Sequence, residues 1–490
     1  MKKKSRNIIK IFLLLLILAD IAFSFNQFYH MKLDGDIAPV VVPSKDYSKV
    51  LEHPLGIPIL KDSTSYPAPN RYVPHKLMSG YFKTVPFLIQ EFTTPIESVY
   101  LSAALAKTII QVLLIFLLAS YISGTSSIFS LNFLISASLI FPLFQAFGYN
   151  IQIGIIDKSV TYSFFYALSL VFLLLFYLPF FRSTFYKKPN LNTRWLIVLF
   201  ILSFFLAFNG PLIPAITLII SPLYIIFLWR QKYVSFRSHM SFSNALISGI
   251  KKTASPAVLL LIFVSALSLY SIYIGSFNTE NHWSNIPLIE RYFRLPKGLF
   301  MIFSRKPGPG LFLLVIAINT ILLYKHKGKP DRKKILDLLK WIGIFAVIYL
   351  LLLPLGGFRE YRPFIIRRDT FLPVLLLMII FYGISSRFLI QNMKKKWSRI
   401  YVAFIVLFLI TFINADKKIK HQNRCEYEAL EVIANSPKRI VPVEKECNVL
   451  SWQKIYDYKK SSLNGDLLKL WNITDTKKYY YNPKGGQDTP

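Results

Sequence analysis

Eleven apolar runs dominate this chain, at 8–27, 98–120, 127–147, 160–181, 195–209, 212–229, 256–275, 310–324, 335–355, 370–388 and 399–414. A helix crosses the hydrocarbon of a bilayer with about 20 mostly apolar residues. No water reaches the backbone there, so each N–H and C=O must be paired inside the segment, which helices achieve. The expected fold class is an all-α polytopic membrane protein of about eleven transmembrane helices. Charged residues make up 17% of the chain, against about 25% in soluble domains. That excludes a disordered chain, a disulfide-rich mini-protein or an ordinary soluble enzyme. The net charge of +33 would point to nucleic acid in a soluble protein. Here many Lys and Arg sit in short clusters between apolar runs, where they set orientation and meet anionic head groups. Membrane lipids, not nucleic acid, are the expected partners.

Charge also orients the chain. Met1-Lys2-Lys3-Lys4-Ser5-Arg6 precedes the first run as in a signal peptide. Asp20 and aromatic residues stand where a small-residue cleavage site would follow, so the run is expected to remain as a first span. Asn209-Gly210-Pro211 divides 195–229 into a hairpin with basic residues at both outer limits, Lys187, Lys188 and Arg194 before it and Arg230, Lys232 and Arg237 after it. Basic ends favour the cytoplasm. The parity then puts the N-terminus inside and the C-terminus outside. Four parts follow: a first helix at 1–27, an extracytoplasmic loop at 28–97, a bundle of about ten helices at 98–414, and a small extracytoplasmic α/β module at 415–490. The two cysteines of the chain, Cys425 and Cys447, both fall in that module, where an oxidising compartment permits a disulfide. Asp20 is read as an ionisable residue well inside a span, with a partner in the bundle.

Long outer loops suggest function, since a plain bundle needs only short ones. The first loop opens on Met31-Lys32-Leu33-Asp34-Gly35-Asp36, two carboxylates across a glycine that permits a tight turn. Such a pair can hold a hard divalent cation, Mg²⁺ or Mn²⁺, or act as general base. It can also be an ordinary polar turn. His53, Arg71 and His75 follow in the same loop as candidate substrate contacts, and 74–92 reads as an amphipathic helix at the membrane interface. Asp157 is a candidate wall of the same cavity. His282 and Trp283, beside Glu280 in a second outer loop, would suit a sugar or an interfacial belt. Arg359, Arg362, Arg367 and Arg368 lie within ten residues on the outer side, where positive charge is disfavoured. Their forked guanidinium groups fit a lipid phosphate or pyrophosphate. No Gly-x-Ser-x-Gly, His-Glu-x-x-His or Walker loop is present.

Asp34-Gly35-Asp36 after the first span, the interfacial stretch 74–92 and the C-terminal module resemble the GT-C glycosyltransferases. Ile37-Ala38-Pro39 stands where that superfamily usually has aromatic residues. Asp34-Gly35-Asp36, Tyr361-Arg362-Pro363 and Ile366-Arg367-Arg368-Asp369-Thr370 are similar to strings in bacterial membrane proteins. The resemblance implies a site on the extracytoplasmic side of the bacterial inner (cytoplasmic) membrane. It implies inverting transfer of a sugar from a polyprenyl-phosphate donor to a glycan, lipid or protein acceptor. Asp34 would be the main catalytic carboxylate, as base or through a cation, with Asp36 in support, and the arginines would hold the lipid phosphate. A glycan polymerase or lipid-linked glycan flippase is the alternative, followed by a transporter or membrane scaffold.

Overall fold

The computed structural model describes residues 3–144, 155–188, 191–280, 286–304, 307–326, 329–356, 364–415 and 418–483. Among these, nine helices are long and apolar enough to cross a membrane. They are α1 (Lys3–Tyr29), α7 (Pro95–Ser123), α9 (Val160–Phe185), α11 (Leu212–Arg237), α13 (Pro256–Gly275), α15 (Pro307–Lys325), α16 (Pro330–Leu352), α17 (Arg368–Asn392) and α18 (Lys395–Ala415). Two of the eleven apolar runs give shorter helices. One is α8 (Leu131–Ile140), extended by a tight turn at Phe141–Phe144, and the other is α10 (Thr193–Ala207). Ser130 and Asn192 cap them, each side chain accepting a backbone N–H of the first turn. Ser130 starts α8 inside the run 127–147, whereas Asn192 starts α10 just before the run 195–209. Thr94 and Ser255 cap α7 and α13 in the same way.

The most enclosed spans are α17, α7 and α9. Hydrocarbon removes the hydrophobic drive between helices, so close packing and polar contacts must hold them. Gly383 of α17 supplies the first: a Cβ there would come within 2.3 Å of Ile122 on α7. The second comes from Asn319 of α15, whose amide donates to Ser385 Oγ at 2.9 Å and Ser386 Oγ at 3.0 Å of α17. Tyr401 of α18 donates to Asn319 Oδ1 at 2.6 Å. Asp20 has its bundle partner in Gln111 of α7, 3.5 Å away.

The first loop is built from five short helices, α2 (Ile37–Val41), α3 (Lys45–Glu52), α4 (Ile57–Asp62), α5 (Tyr72–Phe82) and α6 (Val85–Gln90). The stretch 74–92 is thus two helices broken at Lys83-Thr84, with Pro86 in the first turn of α6. The Asn209-Gly210-Pro211 turn docks on this loop. Gly210, at φ +84°, donates to Asn70 O at 2.7 Å, and Val73 N–H donates to Phe208 O at 3.1 Å. Two more helices, α12 (Phe242–Thr253) and α14 (Leu288–Ser304), are amphipathic and lie between spans.

The C-terminal module contains α19 (Arg424–Asn435), α20 (Ser462–Leu470) and a parallel pair of strands, β1 (Ile440–Pro442) and β2 (Tyr479–Tyr481). A disulfide joins Cys425 to Cys447, with Cα atoms 6.1 Å apart. The module packs into one core with α2, α5 and the start of α7. Trp471 donates its indole N–H to Phe82 O at 3.0 Å. Glu426 lies wholly inside that junction. Its carboxylate accepts from Leu33 N–H at 2.9 Å, Leu450 N–H at 2.9 Å and Tyr100 O–H at 3.0 Å. Burial pushes its acid up to about 7 against the pull of these donors.

Glu426→Ala is expected to strand those three donors, each at about 1–3 kcal/mol. Residues 424–483 should then become protease-sensitive in the otherwise intact protein, with a lower Tm. Unchanged digestion and Tm would show that the junction does not depend on this side chain.

Candidate functional site

The first span and first loop meet the other elements at one end of the bundle. His30 O accepts from Asn423 N–H at 3.1 Å, which fixes the end of α1 against the module. Four residues later Asp34 turns inward and is 4% exposed. Its Oδ2 accepts from Ser159 Oγ at 2.8 Å and Thr161 N–H at 3.1 Å. Its Oδ1 accepts from Thr161 Oγ1 at 2.7 Å and Asp36 N–H at 3.1 Å. A carboxylate has about four acceptor positions, and here all are used. Lys107 of α7 is buried near Asp34 and attracted by it, while its ammonium donates to Lys158 O and lies 5.4 Å from the Phe28 ring centroid. Lys107 joins Asp20 as a second ionisable residue deep in a span, and it was not among the residues singled out from the sequence. Its signal was plain: an ionisable residue near the middle of an apolar run.

The 157–161 loop that holds Asp34 is itself tied down. Asp157 Oδ1 accepts from Ser159 N–H at 2.8 Å, and Asp157 pairs with Arg368 at the start of α17. Arg367 pairs with Asp369 and also donates to Tyr166 Oη at 3.3 Å. Arg368 and Asp157, read from sequence as phosphate and substrate contacts, thus neutralise each other. Neither lines the cavity described next.

Beside this network is a cavity of about 510 Å³. Asp36, Pro39, Val40, Tyr47, Ala68, Arg71 and His75 of the first loop form one side. Thr161, Tyr162, Phe165 and Tyr166 of α9, with Glu280 and Trp452, form the rest. Asp36 Oδ1 accepts the Trp452 indole N–H at 3.0 Å. Trp452 and Tyr162 lie with ring centroids 5.8 Å apart. Gly35 makes this approach possible: a Cβ there would sit 2.8 Å from Trp452 N and 3.0 Å from Ser451 Cα. The glycine thus serves the docking of the module onto the turn. Tyr47 donates to Glu280 Oε1 at 2.9 Å.

His75 packs its ring against Phe165, and its Nδ1–H donates to Arg71 O at 2.8 Å. That leaves Nε2 as the acceptor nitrogen. Burial is the main cause that pushes its pKa down to about 4; the hydrogen bond to Arg71 O opposes it, the Arg71 charge adds to it and the Glu280 charge opposes it. The ring is therefore neutral at pH 7.

Of the candidates read from sequence, Asp36, Arg71 and His75 line the cavity. Asp34 lies behind it, and Arg367 reaches its edge through Tyr166. His53 packs toward Tyr66, with centroids 6.3 Å apart, outside the lining. Arg359, Arg362, His282 and Trp283 lie outside the described residues. Trp452, Tyr47 and the α9 aromatics were missed because nothing local marks them; only the fold brings them to Asp36. A cation shared by Asp34 and Asp36 does not fit, since protein donors fill the Asp34 oxygens. Among the described residues no group of three or more His, Cys, Asp or Glu comes together as a metal site.

His75 generates a pH prediction. Its folded pKa lies below the ordinary value near 6.5, so the unfolded chain binds its proton first. The stability that this neutral ring contributes is present above pH 6.5 and is lost as pH falls toward 4. Burial of Glu426 acts in the opposite sense, favouring the folded state at lower pH. Comparison of Tm for His75→Gln and the parent chain isolates the histidine: the fall in Tm between pH 6.5 and 4 should be smaller in the variant. An identical pH dependence would contradict the buried neutral ring.

No model of a known protein family matches this chain, and no curated protein matches it. The residues of the cavity therefore carry its functional reading by themselves.

Proposed function

We propose that the protein is a membrane glycosyltransferase that moves a sugar from a polyprenyl-phosphate donor to an acceptor at the extracytoplasmic face of the bacterial inner membrane. The observation that supports this most is the setting of Asp36. A carboxylate held by an indole N–H stands at the wall of a cavity that also carries Tyr47, Tyr162, Phe165, Tyr166 and Trp452. Aromatic faces suit the C–H faces of a sugar ring, and carboxylates accept from its hydroxyls. The apolar residues Leu88 and Phe92, exposed at the end of the first loop, suit a seat at the membrane interface beside a lipid-linked donor.

In this reading Asp36, rather than Asp34, is the catalytic carboxylate. Asp36 lines the cavity, whereas every acceptor position of Asp34 is filled by the protein. The acceptor hydroxyl attacks the anomeric carbon as its proton passes to Asp36, and the bond from that carbon to the phosphate oxygen breaks. The polyprenyl phosphate leaves with the electron pair. Arg367, one side chain from the cavity through Tyr166, is placed to receive the phosphate charge, exchanging part of its contact with Asp369. His75 remains neutral and offers Nε2 as a second acceptor. Asp34 is a positioning residue that fixes the turn.

The test is sugar release from a polyprenyl-phosphate donor by the purified protein in detergent, with and without Mg²⁺ or Mn²⁺. Asp36→Asn should lower turnover by about a hundredfold or more with folding intact, the range of a positioned base. Asp34→Asn should lower Tm and yield along with activity, because its amide N–H₂ faces donors. Arg367→Lys should cost roughly tenfold through loss of the fork. Full activity in Asp36→Asn would remove the catalytic assignment. Absence of any sugar release by the parent protein would favour the glycan polymerase or flippase reading.

A further inference from the structure

We propose that the end of the bundle opposite the cavity carries a binding surface for anionic phospholipid, built from the end of α11 and from α12. The placement follows from α11. It starts at Leu212, beside the Gly210 turn that bonds to Asn70 next to Arg71 of the cavity. Its 26 residues rise about 39 Å at 1.5 Å each, more than the roughly 30 Å of hydrocarbon. Its last turns, from Arg230 to Arg237, therefore emerge at the far surface.

After a short turn α12 runs back along those last turns. Ala245, Gly249 and Thr253 are buried on its inner side. Gly249 sits close enough that a Cβ would meet Trp229 Nε1 at 3.2 Å and Tyr233 Cα at 3.5 Å. The outer side carries Ile247 and Ile250, which are 50% and 56% exposed, while Phe242, on the side of Ala245 and Gly249, sets its ring 6.3 Å from that of Tyr233. Lys251 and Lys252 are exposed beside them.

Two large apolar side chains turned outward on a helix pinned at the exit of a span fit an in-plane helix in the head-group layer. The charge identifies the lipid. Residues 230–255 hold Arg230, Lys232, Arg237, Lys251 and Lys252 and no Asp or Glu, and the acids nearest in sequence are Asp157 and Glu280. An anionic leaflet attracts such a cluster, and salt weakens the attraction. This surface is independent of the cavity and of the reaction assigned to it.

The test uses the full chain in nanodiscs. Cys425 and Cys447 are joined and no cysteine is free, so Ile250→Cys supplies a unique thiol for an environment-sensitive fluorophore. Ile250 is exposed, and its replacement removes no core packing. Emission should move to the blue in discs containing phosphatidylglycerol relative to pure phosphatidylcholine. The difference should shrink at high salt and in the Lys251→Gln, Lys252→Gln double variant. A second label at Ile247→Cys should report the same change. Equal emission in the two lipid compositions overturns the proposal. If that emission is water-like, the face is kept for a protein; if it is hydrocarbon-like, acyl chains alone hold it.

Discussion

A buried carboxylate is tolerated only where donors match its oxygens, and the way Asp34 meets that condition organises the cavity end of the molecule. Its donors come from Ser159 and Thr161, so the turn after α1 is locked to the entry of α9. That entry is fixed in turn by Asp157 and its pairing with Arg368, which brings in α17. Lys107 extends the same network into α7 and holds Lys158 O. Three of the most enclosed spans therefore converge on one side chain. With Asp34 committed inward, the alternation around Gly35 leaves Asp36 to face the cavity. The division of labour within Asp34-Gly35-Asp36 thus follows from which carboxylate the bundle can satisfy.

The rest of the cavity depends on long-range docking rather than on local conformation. Gly35 accepts the backbone of Ser451 and Trp452 at distances that leave no room for a Cβ. Glu426 holds the other side of the same junction by accepting from the first loop, from α7 and from its own module. The disulfide ties α19, which carries Glu426, to the segment that leads to Leu450 and Trp452. A carboxylate, a glycine and a disulfide therefore place a single indole against Asp36.

The bundle was largely legible in the sequence because the rule behind it is simple: apolar length decides where a helix can cross. Among the described residues each of the eleven apolar runs contains a helix, and Asn209-Gly210-Pro211 interrupts the chain where it was expected to. The limits were set by features that apolar length does not record. Ser130 caps α8 inside its run, and α10 ends at Ala207 before the Asn209-Gly210-Pro211 turn, so both are short. The site was legible in part. Asp36, Arg71 and His75 share one loop, and their polarity in an apolar chain marked them. That Asp34 is buried while Asp36 lines the cavity was invisible, since it is decided by Ser159 and Thr161, 125 and 127 positions from Asp34. The pairing of Arg368 with Asp157 was hidden for the same reason, because spacing shows charges without their partners.

This arrangement also sets when the cavity can exist. Asp36 belongs to the first loop, Tyr162 to α9, Glu280 to the loop after α13, and Trp452 to the module after α18. The apolar spans between them can each enter the bilayer as separate helices, since their backbones are satisfied within each segment. The lining is complete only when Trp452 reaches Asp36, 416 positions later in the chain. Spans α1 and α7 can meet early through Asp20 and Gln111, but that contact carries none of the aromatic wall. Until Gly35 receives Ser451 and Trp452, Asp36 lacks its indole donor and the aromatic wall lacks the ring opposite Tyr162.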